Sequence, residues 1–343
     1  MIESILAFEL LGLGTELIVL FVAFGFMVGV FFGFFGMGGS FLVTPALLIL
    51  GYSAPVAIGS SMAFVFGTAV IATMKHHDAG QVDYRLGALM FVGITVGIEL
   101  GSRLVFGLEV LGIASVVVGV AYVVLLAVIG VLFTRSALNQ GDDDADSDED
   151  GGTDDEVPAI ARKIKSYNLP PMMTLADGSK ASLWTISGVG GGVGLVSGFL
   201  GVGGGFVRMP AIYYVIGTSL AAAVGTSLFG GLMSGAVGAF TYGRAGVIDL
   251  GIVTALLIGS SLGARIGSSA TAYVNEDDVT IYFGIMLLVA SLAVGLGELA
   301  EWLAMPVLDR ASFVLLIGSA LFVCATILYH GALAVRRTRR VPA

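Results

Sequence analysis

A Gly-rich stretch that occurs twice limits what this chain can fold into more than any other feature. The first copy runs Gly33-Phe34-Phe35-Gly36-Met37-Gly38-Gly39-Ser40 and reaches Pro45; the second runs Gly198-Phe199-Leu200-Gly201-Val202-Gly203-Gly204-Gly205 and reaches Pro210. Each ends a long apolar run and precedes a short one, about 41–50 and 206–217. Such a density of glycine breaks a helix, because glycine carries the largest backbone entropy cost and readily takes positive φ. The chain is 57% hydrophobic and 12% charged, which places those breaks in a polytopic membrane protein. Irregular backbone survives within a bilayer only where protein or a water-filled cavity surrounds it. Paired breaks in two halves point to a transporter's substrate site.

The expected architecture is all-α. A first transmembrane repeat covers 17–133, and 134–182 form an acidic, largely disordered loop. A second repeat covers 183–299, and 300–343 hold an extra C-terminal span and a basic tail. The start, with Glu3, Glu9 and Glu16 and no base, reads as a retained segment rather than a secretory signal. The loop holds ten acids between Asp142 and Glu156; removing them from the net charge of -9 leaves +1 for the rest. The acidity is therefore local and reads as a solvated linker.

Duplication shows in the register. The Gly-rich stretches align at an offset of 165 residues. Gly59-Ser60-Ser61 with Gly225-Thr226-Ser227, Ala79-Gly80 through Asp83 with Ala245-Gly246 through Asp249, and Gly97 through Ser102 with Gly263 through Ser268 all align at 166. The inverted arrangement is the one that charge favours. If each break plus short segment completes a partial crossing, Lys75, Arg85, Arg135, Arg162, Lys163, Lys165 and the tail arginines share one face. That face is then cytoplasmic by the positive-inside rule.

These four doubled blocks resemble the TauE/SafE family of membrane permeases over about residues 20–300. The resemblance implies a secondary transporter in the cell membrane, for sulfite, a sulfonate or a related small anion. Two other classes are weighed against it: an intramembrane enzyme, which needs paired acids or a nucleophile–base set within spans, and an accessory subunit without transport activity. Neither requires matched breaks.

The candidate binding residues are Gly36, Gly38, Gly39 and Ser40 in the first break and Gly201, Gly203, Gly204 and Gly205 in the second. Exposed backbone N–H groups beside a helix start attract anions. Arg208, whose counterpart is Val43, adds one cation and could hold an oxyanion with two donors. Ser60, Ser61, Thr226 and Ser227 offer hydroxyls or cap helix starts. Glu99 and Arg265 are mid-span charges at equivalent positions and are expected to pair, as a static ion pair or a coupling site; Arg103 is a second partner within reach of Glu99. His76-His77-Asp78 does not gather into a metal site, and no cofactor motif stands in a strand–helix context. The partners expected are a small anion and the lipid bilayer, with no nucleic acid; a homo-oligomer stays open.

Overall fold

The computed structural model describes residues 14–35, 39–78, 84–143, 170–174, 180–216, 220–270 and 276–338. Residues 1–13, Gly36, Gly38, the 79–83 turn, the acidic run beyond Asp143 and the last tail arginines, Arg339 and Arg340, lie outside the described residues. The first half contains α1 (Thr15–Phe35), a 3-10 turn (Gly39–Leu42), α2 (Val43–Ile49), α3 (Ala54–Asp78), α4 (Tyr84–Val110) and α5 (Ala114–Asp143). A small antiparallel hairpin follows, β1 (Met172–Thr174) with β2 (Lys180–Ser182). The second half contains α6 (Leu183–Leu200), α7 (Gly205–Ala211), a π-helical turn (Ile212–Ile216), α8 (Leu220–Arg244), α9 (Leu250–Ala270) and α10 (Glu276–Leu303). Last comes α11 (Pro306–Thr338).

Seven of the described helices are long and apolar enough to cross a membrane. The chain is an all-α polytopic protein. The short runs behave as their length requires: α2 and α7 have seven residues each, roughly 10 Å of helix against a ~30 Å hydrocarbon core. Part of 134–182 is described. Helix α5 runs on to Asp143, and the hairpin orders both sides of 175–179.

Glycine stripes build two arms. Gly25, Gly29 and Gly33 of α1 lie against the backbone of Leu256, Ser260 and Ala264 of α9, in that order, so the two helices run parallel. Gly259, Gly263 and Gly267 return the contact against Val22, Phe26 and Val30. The second arm pairs α4 with α6 in the same way: Gly93, Gly97 and Gly101 against Ser187, Gly191 and Leu195, and Gly190, Gly194 and Gly198 against Met90, Ile94 and Ile98. A Cβ at any of these glycines would overlap backbone. Small residues at every fourth position let two helices in lipid touch along their main chains, where dispersion rather than water drives association.

Two further pairs cross with opposite polarity. Gly59, Gly235 and Gly238 place Tyr242, Phe66 and Met62 in the α3–α8 contact, so these helices are antiparallel. Helices α5 and α10 are antiparallel too: Gly119 lies by Glu298 and Gly130 by Leu288, with Ser291 Oγ donating to the Val123 carbonyl between them. The buried core runs through these crossings, from Phe21 and Phe31 to Phe283 and Leu287.

Candidate functional site

Helix α6 ends at Gly201, which takes φ +76° and donates its N–H to the Ser197 carbonyl. A helix C-terminus leaves carbonyls without partners. Here donors from the rest of the molecule take them one by one. Tyr242 of α8 donates to Gly198 O at 2.6 Å, and Tyr122 of α5 donates to Leu200 O. Ser61 of α3 donates to Gly201 O at 2.9 Å, and Ser40 of the first break donates to Val202 O at 2.6 Å. Ser234 of α8 donates to Gly203 O at 2.6 Å, and Ser227 donates to Gly205 O at 3.1 Å. The Gly204 carbonyl accepts from the Arg208 N–H as α7 begins.

The N–H side of the same segment is left open. Among the described residues, no acceptor takes the N–H groups of Val202, Gly203 or Gly204. The segment starts beside Ile58 of α3 and reaches Val65, about two helical turns further along that helix. It does so through left-handed backbone that glycine adopts without strain, with Gly203 at φ +64° and Gly204 at φ +77°.

Arg208 is the largest fully buried side chain among the described residues. Its Nη1 donates to Ser227 O at 2.9 Å, and its Nη2 to Ser234 Oγ at 2.9 Å and Gly203 O at 3.1 Å. Among the described residues no carboxylate pairs with it, and its Nε–H has no acceptor. Ser197 Oγ is likewise buried and unpartnered. Ser197 Oγ and Arg208 Nη2 meet at Gly204, whose missing Cβ would stand 2.5 Å from the one and 2.6 Å from the other, while Arg208 Nε faces Gly230, 2.8 Å from its missing Cβ. A guanidinium removed from water without a counter-charge costs several kcal/mol. This corner therefore favours a small anion, which would neutralise the charge and occupy the open donors.

The sequence-derived residues divide into three groups. Ser40, Ser61, Gly201, Gly203, Gly204, Gly205, Arg208 and Ser227 come together around the second break; Gly39 opens the 3-10 turn next to Ser40. Ser60 is buried but bonded away from the break. Its Oγ accepts the Asp249 N–H at 3.0 Å, while the Asp249 carboxylate caps the start of α9. Thr226 is fully buried one residue before Ser227. Beside Asp249, the Tyr52 phenol in the loop before α3 is held above its ordinary range, by burial first and by that carboxylate second.

The third group corrects an expectation. Glu99 does not pair with Arg265. Its Oε1 accepts from Arg103 at 3.1 Å and its Oε2 from Arg244 at 3.2 Å. The reason is the arms: α4 packs on α6 and α9 packs on α1, so equivalent positions of the two helices sit on separate flanks. Glu99 contacts Arg244, the last residue of α8, and Arg265 is exposed.

Sequence reasoning missed Ser197, Ser234, Tyr122 and Tyr242. Only Ser197 had a usable signal, four residues before Gly201 on the turn that ends α6. The other three are far along the chain and reach the break only through helix crossings.

A family match, described as Sulfite exporter TauE/SafE, covers residues 21–294. A protein named "Probable membrane transporter protein" from Xylella fastidiosa (strain Temecula1 / ATCC 700964) is 27% identical over 215 residues, 60% of this chain and 69% of that one. "Probable membrane transporter protein YunE" of Bacillus subtilis (strain 168) is 31% identical over 84 residues, 24% of this chain and 31% of that one. No solved structure matches. Matched breaks joined in one buried site, apolar spans and these likenesses agree on a multi-pass transporter of the cell membrane, and the chain belongs to the sulfite exporter TauE/SafE family.

Proposed function

We propose that this protein is a secondary permease for a small oxyanion, sulfite or a chemically similar sulfur oxyanion, bound where the second Gly-rich break meets Arg208. One observation carries the reading: among the described residues, the carbonyls from Leu200 to Gly205 are taken while the N–H groups of Val202 to Gly204, Arg208 Nε–H and Ser197 Oγ stay open beside a cation with no carboxylate. That polarity suits an anion better than a cation, since the groups left open are donors beside a positive charge, whereas the carbonyls already accept hydrogen bonds. The choice of sulfur chemistry rests on the family's description. Arg208 has no solvent contact, so loading and release each require the helices around it to part.

The carrier reading includes two inverted halves. At the sequence offsets, α1 corresponds to α6, α3 to α8, α4 to α9 and α5 to α10. The α1–α9 arm then maps onto the α6–α4 arm. Equivalent helices that cross antiparallel, as α3–α8 and α5–α10 do, fit a two-fold axis lying in the membrane plane. The test of function is flux into proteoliposomes. Labelled sulfite should move in protein-bearing vesicles and compete with sulfonates or thiosulfate, and Arg208→Gln should weaken it. No flux of any small anion above empty vesicles would reject the reading. For orientation, single cysteines at Ser147 and Thr338, with Cys324 replaced, should label from the same membrane face.

A further inference from the structure

We infer that the cleft between α4 and α8 is a binding site for a phospholipid with an anionic headgroup. The cleft has a volume of about 390 Å³ and is lined by Phe91, Thr95, Met233, Val237 and Phe240, with Glu99 and Arg244 at one end. Its walls are apolar and face outward: Phe240 is 67% exposed. From Arg244 to Met233 is eleven residues of α8, or ~16 Å of helix, which matches one leaflet of a ~30 Å hydrocarbon core.

The headgroup end is charged in a way that selects the occupant. Glu99 is shared between two guanidiniums, Arg103 at 3.1 Å and Arg244 at 3.2 Å, so the cluster keeps a net positive charge. Arg103 donates its Nε to Glu99 and holds its Nη2 in ion-pair contact, and Arg244 donates its Nη2; among the described residues the other N–H groups of both have no protein acceptor. The Arg244 guanidinium also lies 5.3 Å from the Phe240 ring centroid, which holds it over the mouth of the cleft. A cation with spare donors at the end of an apolar slot one leaflet long complements a phosphodiester carrying an acyl chain. A free phosphate would use the cations and leave the slot empty. The inference is separate from the anion site at Arg208, because no residue is common to both.

Thermal unfolding of the detergent-purified protein tests it, with phosphatidylglycerol, phosphatidylcholine of the same chains, and inorganic phosphate as probes. Phosphatidylglycerol should raise the Tm of the wild type, and the two other probes should not. The shift should vanish in Arg103→Gln/Arg244→Gln, return in Arg103→Lys/Arg244→Lys, and vanish in Ala236→Trp, which fills the slot and leaves both cations in place. An equal shift with phosphatidylcholine or with phosphate alone overturns the proposal. So does a shift that persists in the Gln pair, or cross-linking that shows a second copy of the chain seated in the cleft.

Discussion

The two Gly-rich stretches are written almost alike, and the molecule furnishes them differently. After the first, Gly39 opens a 3-10 turn that carries Ser40, and Val43 is buried among apolar groups. After the second, Gly205 opens α7 directly and Arg208 takes the place of Val43. Ser234, which holds the Arg208 guanidinium, corresponds to Thr68, whose hydroxyl bonds back to Phe64 O and Val65 O of its own helix. Ser40 of the first break serves the second by donating to Val202 O. On the proposed reading, a duplicated frame would thus yield one anion corner instead of two, with the first break acting as a brace. A carrier with a single asymmetric site within a symmetric scaffold can expose that site to either side without carrying two charges at once.

The sharpest way to break this comparison is to put a side chain on the second break. Gly204→Val would force a β-branched residue into φ +77° and drive it into the guanidinium. Flux should disappear while the protein still reaches the membrane; normal transport in this variant would remove the anion corner altogether. Next comes the cation. Arg208→Gln forfeits charge-assisted hydrogen bonds worth ~1.5–3 kcal/mol, so anion Kd should rise about 10- to 150-fold. Moving the cation with Val43→Arg in an Arg208→Val background should not restore flux, because the Thr68 hydroxyl is directed to Phe64 O and Val65 O of its own helix, where Ser234 is directed to the break. Recovery would mean that the two breaks are interchangeable after all. Ser234→Ala should have a smaller effect, about 1 kcal/mol and a several-fold loss of affinity, measured by the same binding titration. Arg265→Gln should be close to neutral in both Tm and flux, since that side chain is exposed and has no ion pair among the described residues. A large loss of Tm there would revive a role for the position.

Much of this was legible in the sequence, for identifiable reasons. Span lengths follow from apolar runs, and the breaks from glycine clusters. The brief segments emerge as α2 and as α7 with its π turn because they are too short to cross alone. Ser61 and Ser227 were found because their blocks repeat. Repetition misled at Glu99 and Arg265. Equivalence fixes a place within each half but says nothing about which helices cross, and these two helices do not. Tyr122, Tyr242 and Ser234 stayed hidden because a lone hydroxyl in an apolar helix looks the same whether it faces its own turn or a carbonyl from 44 or 78 residues away. The chemistry of the corner depends on which acceptors are already occupied, and that is a property of the assembled fold alone.

The glycine stripes have a consequence for how this protein is made. Each arm joins a helix from the first half to one from the second: α1 waits for α9, and α4 for α6. When the ribosome has inserted only the first five helices, both partner grooves are still missing. The smooth faces of Gly25, Gly29 and Gly33 and of Gly93, Gly97 and Gly101 then meet lipid tails, which cannot follow a main chain so closely. The half-made chain is thus a set of loosely held helices, and its two arms lock only when the later partners arrive. The halves in space are not the halves in sequence. Either half expressed alone should be short-lived in the membrane, whereas the two expressed as separate chains, cut within 144–169, carry all that is needed to interlock.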